Sequence, residues 1–225
     1  MKAPLLIWGI PLLIYLLFVY WYTSFEGPLS NAEIESYLTT LSKQGATAQD
    51  LDRLRAFLET DTGDDFVMVN LIEFYDQPPS LKGIPANESA EALLSRYMNF
   101  MWPALLKRAC HPVVFAQAAS NSLDVWGIKQ AGHWSQAAFM RYRSRRDLME
   151  IAADPDFQGP HQFKIAAMSK TIAFPGDPWF QTGDPRLLLA LVLIIMCLLL
   201  QRRFPARSKA DSTQTASIEP IENTP

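Results

Sequence analysis

The chain has 225 residues, 20 Lys+Arg against 23 Asp+Glu for a formal net charge of -3, and 49% hydrophobic residues. That length holds one folded domain with extras or two small domains. The charge balance argues against a basic nucleic-acid binder, the hydrophobic content excludes a disordered chain, and two cysteines alone make neither a disulfide framework nor a zinc site.

Residues 3–22 carry no charge, and as a helix they would span roughly 30 Å, the thickness of a bilayer core. Pro11 predicts a kink, and Tyr20, Trp21 and Tyr22 form an aromatic cluster of the kind that sits among headgroups. The following Thr-Ser-Phe-Glu lacks a small-residue cleavage site, so an uncleaved anchor is expected over a signal peptide. Residues 23–60 read as a helical hairpin. Ser30 and Glu33 have the capping-box form, Ile34, Leu38 and Leu41 follow at helical spacing, and Gly45 suits the stop. Thr47 opens a second helix with Leu51, Leu54 and Leu58 on one face.

In residues 61–176 the period changes. Residues 66–75 (FVMVNLIEFY) read as a strand apolar on both faces. Residues 89–110 read as a helix with Leu93, Tyr97, Met101 and Leu105 in a stripe, and Pro103 is expected to kink or break it. Residues 112–119 and 136–143 read as strands, Ser144 caps a helix running to about Ala153, and a second helical piece ends near Met168. Residues 170–174 close the order β-α-β-β-α-β, the split βαβ unit. After a linker, 177–185, a second apolar segment, 186–203, is extended at both ends by Arg186, Arg202 and Arg203. Residues 204–225 read as a disordered tail. Basic residues beside both apolar segments predict both termini in the cytoplasm and the main domain outside it, in the plasma (inner) membrane. Residues 23–185 hold 14 basic and 20 acidic residues, a net of -6, which disfavours anionic lipid and nucleic acid as partners.

The stretches MRYRSRRDLM (140–149), DPDF (154–157), His161 and KIAAMSKTIAFP (164–175), with FVMVNL (66–71), resemble the dimeric α+β-barrel superfamily, more narrowly its uncharacterised branch of small domains. The resemblance covers roughly residues 60–176. It implies an α+β, ferredoxin-like βαββαβ domain, here with an N-terminal helical hairpin and two flanking transmembrane helices. A four-stranded sheet with helices on one face leaves an apolar face uncovered, which predicts a homodimer through that face unless the helical hairpin covers it. The resemblance leaves the activity open, because that superfamily includes cofactor-free monooxygenases, haem-degrading enzymes, isomerases and proteins of no known activity.

The three histidines, 111, 133 and 161, lack metal-site spacing. No nucleophile elbow, P-loop or dinucleotide fingerprint is present, and no cofactor can be assigned. Cys110, behind Lys107 and Arg108, reads first as a small apolar residue and second as a thiol of lowered pKa. On the first strand Met68, Asn70 and Ile72 alternate onto one face, assigned to the barrel interior on the dimer side, with Val67, Val69 and Leu71 toward the helices; because both faces are apolar, the opposite assignment stays open. Asn70 is the anomaly of that strand, since a buried unpaired amide costs roughly 1–3 kcal/mol. Asn70, Tyr97, Arg141 and His161 form the candidate ligand-binding set. If they converge, they suit an acidic or carbonyl-bearing small molecule. The competing reading is that Asn70 ties the sheet to a neighbouring loop. The expected function is a membrane-anchored extracytoplasmic domain that binds or senses a small molecule. The alternatives are a monooxygenase- or isomerase-like enzyme and a dimerisation module without a ligand.

Overall fold

The structure, a computed structural model, describes residues 2–81, 84, 85 and 87–204. The expected tail falls, from residue 205 on, outside the described residues. In chain order the elements are α1 (Lys2–Tyr22), α2 (Asn31–Lys43), α3 (Ala48–Glu59), β1 (Phe66–Phe74), α4 (Ala90–Lys107), β2 (His111–Gln117), β3 (Gln136–Tyr142), α5 (Arg145–Ala152), a 3-10 turn (Pro155–Phe157), α6 (Gln158–Ala167), β4 (Met168–Gly176) and α7 (Pro185–Arg203). The chain divides into two units: residues up to Val19 with those from Asp184 on, and Tyr20–Gly183.

In the first unit, α1 and α7 are long and apolar enough to cross a membrane by length and composition. Proline lacks an amide hydrogen, so Pro11 leaves the Ile7 carbonyl without its helical donor. The Cys197 thiol donates to that carbonyl at 3.1 Å, and α1 runs through Pro11 without interruption. Trp8 Nε1 donates to Gln201 Oε1 at 3.2 Å, a second polar link between the two helices.

The second unit is an α+β domain. Its four strands form one antiparallel sheet in the order β2-β3-β1-β4. β1 is central, as its apolar character on both faces requires. The α2–α3 hairpin forms as the spacing predicts. Ser30 accepts from the Glu33 backbone while Glu33 reaches back to the Ser30 amide, and Thr47 caps α3. Gly45 takes a φ of +97°, the left-handed turn that glycine adopts without strain. Ile34, Leu38 and Leu58 pack with Met149 of α5, a contact between segments far apart in sequence.

Two expectations are corrected. Of the kink or break expected at Pro103 the break does not occur, since α4 runs through it as one helix. Met101 and Leu105, 4% and 0% exposed, pin the helix on either side of the proline. Fully burying such side chains stabilises by about 1.5–3 kcal/mol each, enough together to offset the roughly 3 kcal/mol of an internal proline. The faces of β1 are the reverse of those expected. Phe66 and Met68 pack with Tyr97 and Met101, and Ile72 packs with Leu93 and Ala166. The set Met68, Asn70, Ile72 therefore faces the helices, and Val67, Val69 and Leu71 take the other side.

Candidate functional site

Between the sheet and the helices lies a cavity of about 460 Å³. Its floor is the helix-facing side of the sheet: Met68, Asn70 and Ile72 from β1, Gln136, Ala138 and Met140 from β3, and Ala173 from β4. Its roof is Leu94, Tyr97, Met98 and Met101 from α4, with Leu148 and Ile151 from α5 and Lys164 from α6. A mostly apolar hollow with a few polar groups is the usual form of a small-molecule site.

Asn70 reaches this wall because it alternates with Met68 and Ile72. Its Nδ2 donates to the Met68 carbonyl at 3.1 Å and to the Ala138 carbonyl at 3.0 Å. The amide thus joins β1 to β3 within the sheet and reaches no loop, and the side-chain carbonyl oxygen is left over as an acceptor at the cavity. Tyr97 lines the same cavity, and burial raises its phenol well above the ordinary tyrosine range, so the hydroxyl stays protonated. Tyr142, at the far end, is shifted the same way by burial.

His161 stands behind Tyr97. Its ring stacks on Phe157 at 4.8 Å and lies 6.3 Å from the Tyr97 ring. Burial, and then the Lys164 charge, lower its pKa, which favours a neutral imidazole. It is not among the residues lining the cavity.

Arg141 is elsewhere, and the expected set of four does not converge. Arg141 pairs with Val67 across the β1–β3 ladder while Asn70 pairs with Ala138, three positions along. Side chains alternate along a strand, so the two residues point to opposite faces of the sheet. On its face Arg141 is 1% exposed. Its Nε donates to Asp65 at 2.7 Å, Nη1 to the Ala109 carbonyl at 2.9 Å and Nη2 to the Tyr22 carbonyl at 3.1 Å. Its guanidinium carbon sits 3.8 Å from the Tyr22 ring centroid. Those partners satisfy the group and leave it no ligand to bind.

The cation of the cavity is instead Lys164, which sequence reasoning did not single out. A signal was available. The inward positions of α6 include Phe163, Lys164 and Ala167, so this lysine lies on the stripe that helical spacing reserves for apolar residues. Burial lowers its pKa.

The other reactive groups are accounted for. Cys110 is fully buried, and burial pushes its thiol up to about 12, which rules out the activated-thiol reading. His111 bonds the Tyr22 hydroxyl at 2.6 Å, and His133 pairs with Glu73 at 2.6 Å on a second, more polar cavity. Among the described residues no cluster of three or more His, Cys, Asp or Glu is placed to hold a metal.

No family model matches the chain, and no curated protein matches it. Among solved structures it is similar to a protein of unknown function from Rhodopseudomonas palustris, at 18% identity over 60% of this chain and 96% of that one, with a TM-score of 0.49. The methylated form of that protein matches at 19% identity over 62% and 96%, with the same TM-score. A protein from Arabidopsis thaliana matches at 16% identity over 52% and 98%, with a TM-score of 0.33.

Proposed function

We propose that this chain is a membrane-anchored domain that binds or senses a small apolar molecule outside the cytoplasm. The observation that carries the reading is the cavity of about 460 Å³ between the sheet and α4, α5 and α6, lined by five methionines and four aromatic residues beside a handful of polar groups. Unbranched methionines adapt to ligands of varied outline, which suits binding better than a single fixed chemistry. An enzyme reading, of the monooxygenase or isomerase kind, finds less support: among the described residues no carboxylate, histidine or cysteine lines the cavity.

The same proposal includes the finer fold. Two β-α-β halves with the order β2-β3-β1-β4 support a ferredoxin-like arrangement and membership of the dimeric α+β-barrel superfamily. The sheet face away from α4 and α6 carries Val69, Leu71, Phe139 and Phe174, the last 49% exposed. A second copy of the chain is its proposed cover. The lipid bilayer is the proposed partner of α1 and α7.

The test is to purify the full chain in lipid nanodiscs and analyse it by native mass spectrometry, then by extraction under denaturing conditions. A small molecule retained at a fixed ratio to the chain, and lost on Met101→Trp filling of the cavity, is the expected result. A chain that retains nothing and takes up no apolar probe would overturn the reading.

A further inference from the structure

We propose that Lys164 anchors the cavity's ligand and that the ligand class is apolar molecules carrying a single carboxylate. This rests on the cavity reading above and assigns its chemistry.

The placement of Lys164 is the first observation. On α6 the chain turns Lys164 toward the cavity and leaves its neighbour Ile165 64% exposed. Hydrophobic burial alone would favour the opposite arrangement. A helix that keeps a lysine on its inner stripe accepts a desolvation cost that a leucine there would avoid.

The second observation is what the ammonium lacks. The buried and half-buried arginines of the domain are matched: Arg141 with Asp65, Arg143 with Asp147, Arg145 with Asp61 and Arg146 with Glu33. Lys164 makes no hydrogen bond or ion pair with any described residue. Its nearest aromatic partner is Tyr97, with Nζ 5.9 Å from the ring centroid, the outer limit of a cation–π contact. The positive charge of the cavity is therefore unanswered by any described residue.

The third observation is the company it keeps. The Tyr97 and Tyr142 hydroxyls stay protonated and can donate, as can the Gln136 amide, while Met98, Met101 and Leu94 supply apolar wall. A carboxylate would complete the ion pair and accept from those donors, with the remainder of the molecule against the methionines. A phosphate brings more charge than one lysine offsets. A cation is repelled, and a neutral alcohol leaves the ammonium unpaired.

The experiment uses the full chain in nanodiscs and two probes of one shape, 1-naphthylacetate and its neutral amide, with binding read by ligand-observed NMR titration. The acid is expected to bind at least about tenfold more tightly than the amide. Lys164→Met should bring the acid down to the level of the amide and leave the amide unchanged, and Lys164→Arg should keep the preference for the acid. Should the methionine variant not fold, Lys164→Gln carries the same expectation. Equal binding of acid and amide to the native chain, or a preference that survives in Lys164→Met, would overturn the role of Lys164 while leaving the cavity reading in place. Failure of both probes to bind would overturn both.

Discussion

Arg141 and Lys164 are two cations of one domain with opposite environments. Arg141 has an acceptor for each of its three guanidinium nitrogens. Arg141→Met would leave the half-buried Asp65 without this cation and two carbonyls without their donor. Breaking such a pair costs about 3–5 kcal/mol, and a urea or thermal melt should show that loss with probe binding in the cavity unchanged. Loss of probe binding at native stability would return Arg141 to the ligand set. A surface carboxylate offers a pH-dependent counterpart. Hydrogen bonds from Arg146, and then from Ser30, hold the Glu33 carboxyl at about 2, below its ordinary 4.5. A depressed folded pKa contributes stability that is complete above the unfolded value and fades as pH falls through the folded one. Glu33→Gln keeps a side chain able to cap α2 but removes the charge. Its melting temperature should therefore run below that of the native chain near neutrality and converge with it between pH 4.5 and pH 2. Parallel curves across that window would show that the charge contributes nothing.

The two apolar helices show how one element completes another. Cys197 answers the carbonyl that Pro11 leaves open. In Pro11→Ala the backbone of residue 11 can supply that hydrogen bond itself, so the thiol becomes redundant. The cost of Cys197→Val should then shrink by about 0.5–1 kcal/mol in the Pro11→Ala background, the scale of interhelical hydrogen bonds in lipid. A double-mutant cycle by steric-trap or denaturant unfolding in bicelles measures it, and a coupling of zero would mean the contact is idle. Element by element, much of the domain was readable from the chain. Ser30, Thr47 and Ser144 cap helices where the sequence placed the starts of those helices, because capping is a contact between near neighbours. The orientation of β1 was not readable, because both of its faces are apolar and the choice belongs to α4 and α6. The continuity of α4 through Pro103 is likewise set by tertiary burial. The candidate site was half legible. Asn70 stood out as a polar residue in an apolar strand, and Tyr97 lay on the stripe of its helix. Arg141 misled because charge on a strand says nothing about which face finds a partner. Lys164 was passed over because one cation among ten helical residues looks like a solvated one until the stripe is drawn.

For the whole molecule the orientation is the open proposal, with both termini assigned to the cytoplasm by the basic residues next to α1 and α7. Reporter fusions after Phe204 and between residues 76 and 86 should report opposite sides of the membrane. Both on one side would show that the chain does not cross as proposed. The sheet adds a consequence for life in that setting. Its two outer strands each contain a proline, Pro112 in β2 and Pro175 in β4, and the β2–β3 register slips between Pro112 and Val114. A proline offers no backbone donor to an incoming strand, and a register slip bends the edge away from one. Confinement to a bilayer would crowd copies into two dimensions and force their rims to meet often. A sheet with blunted rims under that crowding would resist growing sideways into a ribbon, and encounters between copies would be steered toward its broad apolar face, the one proposed above to take a second copy.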